Sequence, residues 1–222
     1  MPNAHGRADI RDMLVVHEAF RRAYDKMPDL VLGVTPGDTK RALVVADHIQ
    51  MIEEFLHLHH KGEDVLLWPK ITARAPQGLA PALALMEEHH TEIDGLIVES
   101  SASLARWRSD ANASDRDQLA AVLRTLGKKL TEHLAVEEAE ILPIVDQYLT
   151  ATEWHELGDH AIKSLPKNKL PIIFGMLASL ADPAVVTLML STAPLVPRII
   201  MPIVGPRAFA AHARKVYGTA GF

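Results

Sequence analysis

Twice in this chain a histidine stands four residues ahead of a glutamate. A second acidic residue follows each glutamate, and a proline comes ten residues after each histidine. The two sets are His59, Glu63, Asp64 and Pro69, then His133, Glu137, Glu138 and Pro143. Residues four apart on an α-helix lie about 40° apart around the axis, so each imidazole shares a face with its carboxylate. Two such helices facing each other gather two histidines and two glutamates, the beginning of a two-metal site. Imidazole with carboxylate suits iron, manganese or zinc and is unsuited to copper(I). A carboxylate can also bridge two ions and hold them close enough to act on one small oxidant.

Helices must carry these side chains, because no stretch keeps a period of two while helical periods recur throughout. A first helix is expected from about Asp9 to Lys26, with Ile10, Met13, His17, Phe20 and Tyr24 on one stripe. A loop holding Pro28, Gly33, Pro36 and Gly37 follows. The second helix runs from Asp38 or Thr39 to Trp68, where Pro69 cannot continue the ladder of a straight helix. Its stripe reads Ile52, Phe55 or Leu56, His59, Glu63, Leu66. After a loop from Thr72 to Pro81, the third helix opens on Pro81 and continues to about Ser109, with Leu83, Met86, His90, Ile93 and Ile97 inward. Asn112 or Ser114 caps the fourth, which follows Leu119, Leu123, Leu126, Leu130, His133, Glu137 and Ile141 to about Tyr148. In each helix a polar residue replaces an apolar one on the inward stripe. An unpartnered buried imidazole or carboxylate costs on the order of several kcal/mol. Four helices accepting that cost together require a shared partner, and a metal centre supplies one.

Composition narrows the function classes. Acidic residues outnumber basic ones by 28 to 23 in 222 residues, so no cationic face points to nucleic acid. The absence of cysteine excludes disulfides, thiolate metal sites, iron–sulfur clusters and cysteine catalysis. Met1 to Met13 holds no apolar run ahead of Asp9 and Arg11, so no signal peptide is read there and a cytoplasmic location is expected.

The character changes near Thr150. A fifth helix is expected from Thr150 to Leu165, with Glu153 placed to complete a capping box with Thr150. From Pro171 to Gly205 the only charges are Asp182 and Arg198. A spanning helix needs roughly 20 apolar residues, and Pro194 and Pro197 interrupt this run. The segment is therefore expected to form short helices that fold back on the bundle or meet a dimer partner or a membrane surface. Gly205-Pro206 then opens a terminal basic helix containing Arg207, His212, Arg214 and Lys215.

In order and spacing, His17, His59-x-x-x-Glu63 with Pro69, Glu88-His89-His90, and His133-x-x-x-Glu137 with Pro143 resemble the hemerythrin-like (HHE cation-binding) family, over roughly residues 9 to 148. The resemblance implies an all-α, up-down-up-down four-helix bundle holding a non-haem diiron centre, placed here over residues 1–149, and residues 150–222 are read as a C-terminal apolar helical extension. By position the resemblance carries His17, His59, Glu63, His90 and His133 over as terminal or bridging ligands and Glu137 as the second bridging carboxylate. The implied cofactor is two iron ions bridged by carboxylate and by an oxo or hydroxo group. Family members carry or sense dioxygen, or handle nitric oxide, peroxide or iron.

Two positions stay open. The oxygen-carrying relatives place two histidines four apart on the third helix, whereas His89 and His90 are adjacent here, about 100° apart. His90 shares the stripe of Met86, Ile93 and Ile97, and Asp94 follows it by four as a weak ligand or hydrogen-bond acceptor. Glu138 matches the carriers' five-residue offset, while Glu137 is the twin of Glu63. One histidine fewer than in a carrier favours a reacting site over reversible storage of dioxygen. His57 and His60 lie off the stripe and read as solvated. His48, His155 and His160 read as non-ligands, Tyr24 as core, Trp68 as a plug at a helix end, and Asp64 and Glu138 as groups behind the ligands. The expected small ligand is a diatomic or peroxide, met by a catalyst or detoxifier. A sensor or interaction module that docks through residues 171–205 is the competing reading. Iron buffering is disfavoured by a single ligand set.

Overall fold

A computed structural model describes residues 6–222. Residues 1–5, part of the expected segment 1–149 and of the start read for a signal peptide, lie outside the described residues. Every regular element described is helical, and the one extended pairing is an isolated bridge between Arg7 and Thr150. Helix α1 (Arg11–Leu32) buries Met13, His17, Phe20, Tyr24, Met27 and Val31 at helical spacing. It runs past Lys26 and through Pro28, where a loop was expected. Pro28 removes one ladder bond, but Met27, Pro28 and Val31 are all buried, and that packing outweighs it.

Helix α2 (Thr39–Gly62) starts under Asp38, whose carboxylate accepts the Arg41 N–H at 3.0 Å. Contrary to expectation, the helix does not stop at Pro69. Glu63–Leu67 form a π turn in which the Trp68 N–H bonds the Glu63 carbonyl five residues back, and α3 (Trp68–Arg74) carries the chain on through Pro69. The expected loop from Thr72 shrinks accordingly, and Gln77–Leu79 form a short 3₁₀ turn before α4 (Ala80–Asp110). Ala111 closes α4 in the left-handed region. Asn112 accepts the Asp115 N–H at 2.9 Å to open α5 (Ala113–Val136). The second sequence copy then repeats the first: a π turn at Glu137–Ile141, Leu142 N–H on the Glu137 carbonyl, and α6 (Leu142–Tyr148) running through Pro143.

The spacing explains both wide turns. His59, Glu63, Leu67 and Ile71 are buried at successive steps of four, as are His133, Glu137, Ile141 and Val145. In an unbroken α-helix each step of four drifts by about 40°. A π turn absorbs that drift and leaves the proline in the first turn of the next helix, where its missing N–H matters least.

Four of the long helices meet in a closed cycle: α1 against α5, α5 against α4, α4 against α2, and α2 against α1. Helix α7 (Ala151–Ser164) opens on the expected Thr150–Glu153 capping box and packs on α2 and the first π turn. Its Trp154 Nε1 donates to Asp12 Oδ1 at 3.0 Å. Helices α8 (Leu170–Ala178) and α9 (Pro183–Met189) touch α1, while α10 (Leu195–Tyr217) lies on α8 and α2. Ile173, Met176, Phe209 and Ala213 thereby join the same apolar cluster as Phe20, Ile52 and Leu123.

One expectation about the last segment is corrected. The terminal helix begins at Leu195, not at Gly205-Pro206, and passes through Pro202 and Pro206. Gly205 is no break; it meets Gly175 where α10 crosses α8, and a methyl group on Gly175 would run into the Gly205 carbonyl. Leu195 to Val204 remain largely exposed. No helix among the described residues is long and apolar enough to cross a membrane.

Candidate metal centre

The π turns place Glu63 and Glu137 at the ends of α2 and α5, both fully buried. His59 Nε2 lies 3.2 Å from Glu63 Oε1, and His90 Nε2 lies 3.4 Å from Glu63 Oε2. The other half mirrors this: His133 Nε2 is 3.7 Å from Glu137 Oε2, and His17 Nε2 is 3.4 Å from the same oxygen. One group of donor atoms, from His17, His59, Glu63 and Glu137, lies within 4.8 Å of one another; His60, His90 and His133 form a second. All six residues expected at the site are therefore brought together.

The acidic residue after each glutamate reaches across to the opposite helix. Glu138 Oε1 accepts from His17 Nδ1 at 2.8 Å, and Arg21 holds the same carboxylate through two bonds of 2.9 Å. Asp64 Oδ1 accepts from His90 Nδ1 at 2.7 Å. Each bond fixes the proton on Nδ1 and leaves Nε2 free to face the centre, as behind many metal-bound imidazoles. Glu138 thus orients His17, and the inward carboxylate is Glu137.

His60 corrects the sequence reading. It is buried, not solvated; its ring stacks on His90 at 4.2 Å and meets His133 edge-on at 5.0 Å. Neighbouring residues point about 100° apart, and here the centre of the bundle falls between His59 and His60, so both reach it. The adjacent His59-His60 pair was the available signal. His60 also brings to the centre an imidazole that the third helix lacks, so the expectation of a more open iron loses its basis. His89 belongs to neither donor group, although its Nδ1 is buried without a partner and its ring is 5.8 Å from His133. Asp94 points elsewhere and pairs with the exposed His57 at 3.4 Å.

The buried polar atoms of the site find few partners within the protein. His17 Nε2, both nitrogens of His60 and His133, His59 Nε2, His90 Nε2 and all four carboxylate oxygens of Glu63 and Glu137 are buried with no hydrogen-bond partner. Burial, reinforced by the like charge of Glu63, pushes Glu137 up to about 8, and burial raises Glu63 as well. Burial and then His90 hold His133 down at about 2. Burial would lower His90 too, but the Asp64 and Glu63 carboxylates beside it override that and hold it at about 10. Orphaned carboxylates and imidazoles in one buried pocket are costly as they stand. Divalent cations would satisfy all of them, so the residues fit a two-metal centre.

Phe20 closes one side, its ring 5.3 Å from His59, and Trp68 lies 5.9 Å from His90. Beside His90 a cleft of about 270 Å³ opens between Asp64, Trp68, Glu87, Thr91 and Asp94. His48, His155 and His160 stand apart. His48 is buried under α10, bonded to Tyr217 Oη at 2.8 Å and His212 Nε2 at 3.1 Å. His155 bonds the Ala151 carbonyl of its own helix, and His160 packs beside Gly62. Tyr24 is core; burial, then the nearby Glu53 carboxylate, pushes its phenol well up.

A family model, the Hemerythrin HHE cation binding domain, matches residues 7–145. Comparison with curated proteins and with solved structures gives no match.

Proposed function

From a chain that belongs to the hemerythrin HHE cation-binding family, we propose a non-haem diiron protein that binds or reacts with dioxygen, peroxide or nitric oxide. The two irons lie inside an up-down-up-down bundle. His17, His59, Glu63, His90, His133 and Glu137 are the ligands, joined by His60. The observation that carries the reading is the set of buried, unpartnered Nε2 and carboxylate atoms converging from α1, α2, α4 and α5. Iron bound there would supply two electrons to one small oxidant and an open position at which to meet it. Five imidazoles and two carboxylates would hold the ions and leave room for an outside ligand.

The chain's own residues prepare that chemistry. Asp64 and Glu138 set the tautomers of His90 and His17. Phe20 and Trp68 exclude water from the ligand side chains they cover. The cleft beside His90 offers a short path for a small molecule, while Arg21 and Glu138 close the His17 side. One observation favours the sensor or interaction reading as a companion: the exposed apolar run from Leu195 to Val204.

The test uses anaerobic, ferrous-loaded protein mixed separately with dioxygen, peroxide and nitric oxide. Optical spectra should develop charge-transfer or nitrosyl bands with at least one of them. Protein that carries its full iron and shows no spectral response to any of the three contradicts the reading.

A further inference from the structure

From Pro183 to Phe222 the sequence contains no aspartate or glutamate but has Arg198, Arg207, Arg214 and Lys215, in a chain whose net charge is −5. The structure concentrates the apolar residues of this cationic tail on the first half of α10. Leu195, Val196, Ile199, Ile200, Ile203 and Val204 are between 41% and 70% exposed. At 100° per residue these six fall within one half of the helix circumference. Arg207 continues the same line one turn beyond Ile203, and Arg214 two turns further; both are exposed. One face of α10 therefore reads apolar, then basic.

The second half of the helix holds this face in place. Gly205 abuts Gly175, and Phe209, Ala213 and Val216 are buried, so the apolar half is presented on a fixed mount. At 1.5 Å per residue, residues 195–204 extend about 14 Å, roughly half the hydrocarbon thickness of a bilayer. That is enough to enter one leaflet and too little to cross. A second copy of the chain is a poor occupant, because it would set Arg207 and Arg214 beside their own kind with no acidic residue on the face to meet them. A surface that is apolar inside and anionic at its rim matches both parts.

We propose that this face of α10 docks on an anionic lipid bilayer, with Leu195 to Val204 among the acyl chains and Arg207 and Arg214 at the phosphate headgroups. The site thereby acquires a membrane address that the metal centre does not itself require.

Cosedimentation tests it, using full-length, iron-loaded protein with vesicles of phosphatidylcholine alone or mixed with phosphatidylglycerol. The protein should pellet with the mixed vesicles and remain largely in solution with phosphatidylcholine alone. Ile199→Asp with Ile203→Asp should abolish pelleting. Arg207→Gln with Arg214→Gln should weaken it roughly thirtyfold. All four positions are exposed, so melting and iron content should be unchanged in both variants. Failure to pellet with either vesicle overturns the proposal, as does equal pelleting of the parent and the Ile199/Ile203 variant. Dimerisation in sedimentation velocity, lost on changing Ile199 and Ile203 and accompanied by no vesicle binding, overturns it in favour of a second copy.

Discussion

At the scale of single residues, the protein places polar groups where apolar ones would stabilise it more, and Glu53 shows this away from the metal centre. It is buried, and burial raises its carboxyl from 4.5 to about 7 despite the facing Ser100 and Ser101. Because the folded value is the higher one, the fold favours the neutral acid. The contribution is full below pH about 4.5 and is lost as pH rises to about 7. Glu53→Gln should therefore raise stability at pH 8 by up to about 3 kcal/mol, have little effect at pH 4.5, and flatten the pH profile of urea unfolding. An unchanged profile would show that Glu53 is ionised in the fold. Histidine separates legible from illegible positions in the same way. His17, His59, His90 and His133 could be read because each interrupts an apolar stripe. His60 could not, because a stripe assumes that one direction faces inward, and the end of α2 faces a centre lying between two residues. His60→Ala should lose at least one iron per chain by metal analysis, and His57→Ala should lose none.

At the scale of elements, the two π turns are the device that makes the site. They allow His59, Glu63, Leu67 and Ile71 to remain inward over a stretch where an α-helix would have turned away, and the α5–α6 pair does the same. The steps from His59 to Glu63 and from His133 through Glu137 to Ile141 were visible in the sequence. The expected stripe, however, went on from Glu63 to Leu66, and it is Leu67 that is buried. The meaning of the steps was hidden by the proline rule, which holds for an α ladder and not for one shifted by a residue. The caps at Asn112 and Thr150 were legible because each depends on local hydrogen bonds alone. Deleting the exposed Val65 should restore an α ladder, so that His59 and Glu63 or Leu67 and Ile71 must leave the interior. Helical circular dichroism should persist while metal content falls by at least half. Full metal and unchanged melting in that variant would remove the π turn from the explanation.

At the scale of the whole molecule, residues from α8 and α10 complete the apolar cluster over α1 and α2, fastened where Gly175 meets Gly205. That crossing was not legible, since a glycine's close approach depends on a partner far away in sequence. Gly175→Ala should cost about 3 kcal/mol and make the segment after Ala178 sensitive to protease. Gly158→Ala, in open space on α7, should be neutral or stabilising. Melting curves of the two variants decide between them. The exposure of Leu195 to Val204 was equally beyond the sequence, because apolar residues are expected to be covered and nothing local says by what. If α1, α2, α4 and α5 together hold a pair of metal ions, a count of bound metal shows it. Metal-free protein titrated anaerobically with ferrous iron, then desalted and analysed for iron against protein, should saturate at two ions per chain. Saturation at one ion, or none, in correctly folded protein would contradict it.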